Sequence, residues 1–257
     1  MKESPIIFSS ESVNAIFAGE KTQTRRVVKP QPTLVPDGNL CGRPKGSYYW
    51  PSHKCRSMVD PSDMGSLGPY GGKYDLLWVK ETWKPFERPT DHTDGIVFKA
   101  DGAFVPIDNT REAAERWVVA KDNRSTRCSS PWRSPLFMPR WACRLLLEVR
   151  SIRVERLHAI TEADARAEGI DPKKPVKAKL DKSAIDLHVF GPDAVQRIFR
   201  MHWDSINGEK HPWVENPFVW VITFTRVCMR CKGRGFVSSA SCTHNRPAGA
   251  AYAEGSP

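Results

Sequence analysis

With 257 residues and 29.0 kDa the chain can bury a sizeable core, and 40% hydrophobic with 26% charged residues is ordinary globular composition. A net charge of +10 and a pI near 9.4 favour a polyanionic partner such as RNA, DNA or a nucleotide, while 21 prolines point to long irregular connections. The opening MKESPIIFSS lacks an apolar core of signal-peptide length, no later stretch is long enough to span a membrane, and seven scattered cysteines argue against a secreted disulfide framework; a reducing cytoplasm is the expected home.

SESVNAIFAG reads as a short helix. Ser10 or Ser12 can cap it, Val13, Ile16 and Phe17 share one face, and Gly19 sits where a left-handed C-terminal cap belongs. KTQTRRVV suits a pleated strand. From about 29 to 73 the text is loop chemistry, with Cys41, Tyr48, Tyr49, Trp50 and Cys55 inside it. YDLLWVKETW (Tyr74 to Trp83) and GIVFKADG (Gly95 to Gly102) read as strands, the second closed by an Asp-Gly turn, and a second polar insertion covers about 103–135.

LLLEVRSIRVERL is the longest strand candidate. Its apolar parity switches between Val149 and Ile152, which predicts a bulge or bend near Arg150 and Ser151. ITEADARAEGI predicts a short helix with Thr161 as N-cap, Asp164 in the capping-box place and Gly169 as the stop. A lysine-rich insert (Asp171 to Lys182) precedes DAVQRIFRMHWDSIN, a helix expected to bury Val195, Ile198, Phe199 and Trp203. PFVWVITFTRV is apolar enough to be a central strand, and residues 228–257 read as a cysteine-bearing, flexible tail. Strands and short helices in this mixed order, without repeated βαβ units, predict an α+β fold built on a small mixed barrel.

AIFAGEKTQTRR, LLWVKETW, MPRWACRLLLEV, ITEADARAEGI and NPFVWVITF, in this order, resemble the ASCH domain of the PUA-like superfamily, most nearly its enlarged phage and prophage form. The likeness spans most of residues 5 to 227, which makes 1–227 one domain with two loop insertions. It implies a PUA-like β-barrel flanked by helices, with a cleft for RNA or modified nucleosides. Small bacterial members of the family are amidohydrolases that remove the acetyl group from N4-acetylcytidine, using a lysine and a threonine of a G-x-K-T-x-T motif and a glutamate on a later short helix. Carried over, GEKTQT supplies Lys21 and Thr24, and TEADARAEG supplies Glu168. Where the family often has Gly-Asp before its second strand, this chain has Tyr74-Asp75.

Amide hydrolysis needs a nucleophile or positioned water, a base for its proton and an acid for the leaving amine. Thr24 could attack or hold water, and Lys21 could be the base if burial or repulsion from Arg25 and Arg26 brought its pKa down. Glu168 falls in the last turn of its helix, where the macrodipole disfavours negative charge by roughly 0.3–1 kcal/mol, a setting that suits a proton donor. A regular strand through 21–26 would send Lys21 and Thr24 to opposite faces, so their convergence requires Lys21 to lie in the turn after Gly19. Without the resemblance, Lys21 with Thr24 reads as an ordinary turn pair and Glu168 as a common surface glutamate.

Thr22, Arg25, Arg26, Trp83, Trp132 and Arg140 are candidate substrate or nucleic-acid contacts, the tryptophans as stacking platforms and the arginines as a solvated or phosphate-contacting edge. Cys228-x-x-Cys231 with Cys242 and His244 could hold a structural zinc, although C-x-H is cramped for two ligands to one ion; no organic cofactor or catalytic metal is expected. The resemblance implies a nucleoside- or RNA-directed protein that binds its ligand in the cleft, with deacylation of an N4-acetylcytidine-type substrate as the chemistry it could perform. The alternatives are a non-catalytic RNA- or DNA-binding module and, third, a ribonuclease, for which no pair of catalytic histidines stands out.

Overall fold

The computed structural model describes residues 1–34, 48–49, 68–107, 110–111, 115, 117, 131–173, 176–180, 183–187, 191 and 193–228. Along the chain run β1 (Glu3–Ile7), α1 (Ser10–Phe17), β2 (Gln23–Val27), β3 (Thr33–Leu34), β4 (Tyr48–Tyr49), β5 (Leu76–Lys80), β6 (Trp83–Glu87), β7 (Asp94–Phe98) and β8 (Phe104–Pro106). There follow β9 (Leu146–Arg156), α2 (Glu162–Ala167), β10 (Val176–Leu180), β11 (Ser183–Leu187), α3 (Ala194–Asn207) and β12 (Phe218–Val227). The fold is mixed α+β, as the order of elements predicts. Its largest sheet has the strand order β1-β5-β9-β12-β2, beside a three-stranded sheet β6-β7-β8 and the pairs β10-β11 and β3-β4. Among the described residues no sheet closes into the predicted barrel.

The chain forms two compact units. Unit 1 comprises Met1–Phe17, Leu76–Glu148 and Arg226–Pro257; unit 2 comprises Ala18–Asp75 and Val149–Thr225.

In unit 1, β1 runs parallel to β5 from Glu3↔Leu76 to Ile7↔Lys80, and β5 pairs antiparallel with the start of β9 through Trp78↔Leu146. YDLLWVKETW is two strands rather than one. Glu81 and Thr82 interrupt it, Glu81 turning into the interior, and β6 then pairs with β7 from Trp83↔Phe98. Trp83, Ile96, Phe98, Met138 and Cys143 form one core cluster. β8 lies in what reads as an insertion; Gly102, at φ 71, makes the turn that returns it to β7. α1 starts at Ser10, one residue earlier than its apolar pattern needs, so the cap is Ser9: its Oγ accepts from the Ser12 backbone N–H at 3.3 Å.

In unit 2, β12 pairs antiparallel with β2 from Val219↔Val27 to Thr223↔Gln23, and it is an interior strand, flanked on its other side by β9, where its apolar text predicts a central one. The face of α3 that carries Val195, Ile198, Phe199 and Trp203 is buried, and Val195, Phe199 and Trp203 share a core cluster with Leu157, Ile160, Ala165, Val219 and Val221. β9 runs as one strand through the place where a bulge or bend was expected. Arg150 and Ser151 are both exposed, so the parity switch falls on two successive solvent-facing positions. The lysine-rich insert contains the β10-β11 hairpin, with Val176↔Leu187 and Leu180↔Ser183 as its outer pairs. Tyr74 takes φ 70, the left-handed conformation that a glycine would adopt at no steric cost. Neighbouring bonds fix it there, Tyr74 N–H to Val149 O at 2.8 Å and Gly72 N–H to the Asp75 carboxylate at 3.0 Å.

Candidate functional site

The site lies within unit 2, where a strand stripe meets a helix stripe. α2 is opened by Thr161, whose hydroxyl accepts from Asp164 N–H at 3.1 Å while the Asp164 carboxylate accepts from Thr161 N–H at 3.3 Å, the predicted capping box. Asp164 and Glu168 are four residues apart and share one helical face. Along β2 and the residues before it, Lys21, Gln23 and Arg25 follow the alternation of extended chain. The two stripes are complementary. Lys21 forms an isolated antiparallel bridge with Glu168, and the Thr22 N–H donates to Ala167 O at 2.8 Å.

Lys21 Nζ donates to the Glu168 backbone carbonyl at 2.7 Å and to Glu168 Oε2 at 2.8 Å, with side chains only 5% and 6% exposed. Arg25 reaches Glu168 Oε1 at 3.4 Å, Glu155 Oε1 at 2.6 Å and Asp164 Oδ2 at 3.3 Å. Gln23 Nε2 donates to Asp164 Oδ1 at 3.0 Å, and Arg153 ties Glu155 to Asp164 with two further contacts of 3.0 Å. Three cations and three carboxylates thus balance. Buried ions need this, because unpaired burial of either sign is costly. Arg25 also lies 5.9 Å above the Phe199 ring, and its Nε, among the described residues, has no hydrogen-bond partner.

Burial pushes the Lys21 ammonium below the ordinary lysine range; Glu168 opposes the shift, and Arg26 and Arg25 add to it. Of the two causes expected for such a shift, burial is the larger and repulsion the smaller. Burial alone would raise Asp164, yet bonds from Gln23 and Thr161 and the charge of Arg25 hold it well below the usual carboxylate range. Arg26 is half-buried; burial lowers it, and Tyr70, itself pushed up by burial, lies close enough to act on it.

Two of the three predicted reacting residues therefore meet. Thr24 is buried in β2 opposite Ile222, between Gln23 and Arg25. Since both neighbours reach α2, the pleat sends the Thr24 side chain to the other face of the strand. β2 begins only at Gln23, as convergence required, but Lys21 still keeps the alternation.

Among the predicted binding residues, Thr22 is exposed and its carbonyl accepts from Phe224 N–H at 2.9 Å. Arg25 is not a solvated edge: three carboxylates draw its side chain to 1% exposure. Trp83 is 1% exposed in the unit 1 core, which leaves its ring no free face for a base. Arg140, in unit 1, is paired with Glu3 at 2.9 Å, and Trp132 is 43% exposed. Cys228 is buried, while Cys231, Cys242 and His244 lie outside the described residues, as do Cys41, Cys55 and Cys128. Among the described residues no cluster of His, Cys, Asp and Glu could hold a metal, and no helix is long and apolar enough to cross a membrane.

The sequence reading missed Gln23, Glu155 and Arg153, and took Asp164 only as a cap. The signal was there in the spacing. K-x-Q-x-R on a strand and D-x-x-x-E on a helix are one-sided polar stripes, and stripes of opposite charge in one unit are candidates to face each other. The chain matches no protein-family model, no curated protein and no solved structure.

Proposed function

We propose that unit 2 hydrolyses the exocyclic amide of an N4-acylated cytosine, in keeping with the resemblance of its motifs to ASCH-domain amidohydrolases of the PUA-like superfamily. The observation that carries this reading is the buried Lys21–Glu168 pair at 2.8 Å, with a lysine whose proton is loosened by burial. Two residues separated by 147 positions, each belonging to one of the family's motifs, make that contact.

Water is the nucleophile that fits best, because the Thr24 hydroxyl leaves β2 on the other face. Lys21 and Glu168 share one proton across their 2.8 Å contact. With it on Glu168, neutral Lys21 takes a proton from the water that adds to the acyl carbon, and Glu168 gives its proton to N4 as the C–N bond breaks. Transfer from Lys21 to Glu168 restores the pair. The products are the free carboxylic acid and the unmodified cytosine. General acid–base assistance of this kind is worth about 10²–10⁴ in rate. A ligand that separated Lys21 from Glu168 would also leave a cation beside the acyl oxygen where negative charge develops.

The test is conversion of N4-acetylcytidine to cytidine, followed by absorbance, with wild type, Lys21→Ala and Glu168→Gln. Circular dichroism and thermal melts control for folding. Both variants should lose turnover while remaining folded. Turnover that survives both substitutions, or a wild type that does not act on the nucleoside, ends the reading. Thr24→Val should keep activity within a few-fold; its abolition would make the hydroxyl, not water, the attacking group.

A further inference from the structure

We propose that unit 1 carries a binding surface for single-stranded nucleic acid, built on the segment Pro131–Trp141 and the adjoining basic residues of β5 and β6. It is independent of the chemistry proposed for unit 2.

The segment is tightly anchored yet shows solvent its large apolar side chains. Arg133 and Trp83 form an isolated antiparallel bridge, N–H to O at 2.8 and 3.4 Å. Downstream, Met138 is 2% exposed, and its sulfur accepts from the Glu81 N–H at 3.2 Å. Between these two anchors a one-turn 3-10 helix (Pro135–Phe137) is capped by Ser134, and Lys80 Nζ donates to the Leu136 carbonyl. The anchors could have folded this turn inward. Instead Trp132, Leu136 and Phe137 are 43%, 60% and 74% exposed. Exposed large apolar groups held on a fixed backbone mark an interaction surface rather than a frayed loop.

The charges beside them select the partner. Lys84 Nζ sits 4.9 Å from the Trp132 ring and 5.6 Å from Phe86; Lys80 Nζ lies 5.4 Å from the Trp78 ring; Arg133 lies 5.3 Å above Trp83. Among the described residues neither Lys84 nor Arg133 has a carboxylate partner, and their neighbours are aromatic faces. Lys84 beside the exposed Trp132 and Lys80 bonded to the exposed Leu136–Phe137 turn suit a polyanion that also offers flat apolar faces. A single strand does both, its phosphates meeting the cations and its bases stacking on Trp132 and Phe137. A duplex hides its base faces, and an acidic polypeptide has none to stack. The excess of ten positive charges over the whole chain favours the same class of partner.

The experiment is fluorescence anisotropy of the full chain with a labelled oligouridylate of about 12 nucleotides, at salt between about 50 and 200 mM. A duplex of similar length and polyglutamate are the comparison probes. Trp132→Ala should weaken oligouridylate binding roughly tenfold or more. Lys84→Glu should weaken it further and flatten the salt dependence, because a phosphate contact is lost. Trp132 and Lys84 both reach solvent, so folding should survive their substitution. Affinity unchanged in both Trp132→Ala and Lys84→Glu overturns the proposal. So does duplex or polyglutamate binding as tight as that of the single strand and indifferent to Trp132.

Discussion

Each unit buries a carboxylate against a cation, and the two cations behave differently. In unit 1, Arg144 grips both oxygens of Glu81 at 2.9 and 2.8 Å, reaches Asp101 at 2.7 Å, and lies 4.1 Å over Phe98 and 5.0 Å over Phe17. Burial pushes Glu81 up while Arg144 pulls it down; the guanidinium keeps its proton throughout. In unit 2, Lys21 offers one ammonium to Glu168, and burial drives it toward the neutral amine. A buried ion pair is thus not in itself a sign of chemistry. A pair whose cation can surrender a proton is the better candidate, and only the second qualifies.

Exchanging the cations is the sharpest way to break this comparison. Lys21→Arg keeps the charge but removes the titratable amine, so N4-acetylcytidine turnover should fall about 10²–10⁴-fold with little change in melting. The mirror change in unit 1, Arg144→Lys, should leave turnover intact and lower stability, because a lysine cannot make the bidentate fork or stack on two rings. If Lys21→Arg turns over as wild type does, the two pairs are equivalent clamps and the functional distinction is lost.

Removing the unit 1 cation outright comes next. Arg144→Met leaves Glu81, 1% exposed, without its partner, and should cost about 3–5 kcal/mol in urea unfolding. Lys21→Met should cost less, since Arg25 still reaches Glu168 at 3.4 Å. Equal losses would mean that the extra cation around Glu168 contributes nothing.

The two pairs also predict opposite pH slopes. Lys21 is lowered on folding, so between its folded value and 10.5 the unfolded chain binds more protons and stability rises with pH. Glu81 is raised on folding, so the stability it contributes is complete below 4.5 and is lost as pH climbs through its folded value. Melting curves of wild type against Lys21→Met and Glu81→Gln isolate each slope. A Lys21→Met difference that is flat on the alkaline side would show that burial does not displace the lysine.

Helices and long apolar strands were legible in the sequence because local rules decide them. The Thr161 capping box, the Gly169 stop, the buried face of α3 and the interior position of β12 all follow from spacing and composition. β6, β8 and the β10-β11 hairpin were not legible. Pro85 interrupts the propensity of the first, the second is only three residues long, and lysine-rich text masks the third. Of the site, Lys21 and Glu168 could be named beforehand, but not the reversal of Arg25 from solvated edge to buried hub. Three carboxylates draw it inward, and two of them, Glu155 and Asp164, belong to elements whose placement the sequence does not announce.

The smallest effect compares how the two units start a helix. α1 has one serine cap, Ser9 to Ser12 N–H at 3.3 Å, whereas α2 has the reciprocal Thr161–Asp164 box. Ser9→Ala and Thr161→Ala should each cost about 1 kcal/mol of stability, a loss typical of a removed N-cap. Their functional consequences should differ. Asp164 also receives Gln23, Arg25 and Arg153, so α2 is held to β2 from the same residue that closes its first turn. Loosening that turn shifts the far end of a six-residue helix, where Glu168 meets Lys21. Thr161→Ala should therefore lower turnover several-fold more than its stability loss explains, and Ser9→Ala should not. Matched kinetics for the two variants would mean that α2 carries Glu168 no more exactingly than α1 carries its own surface.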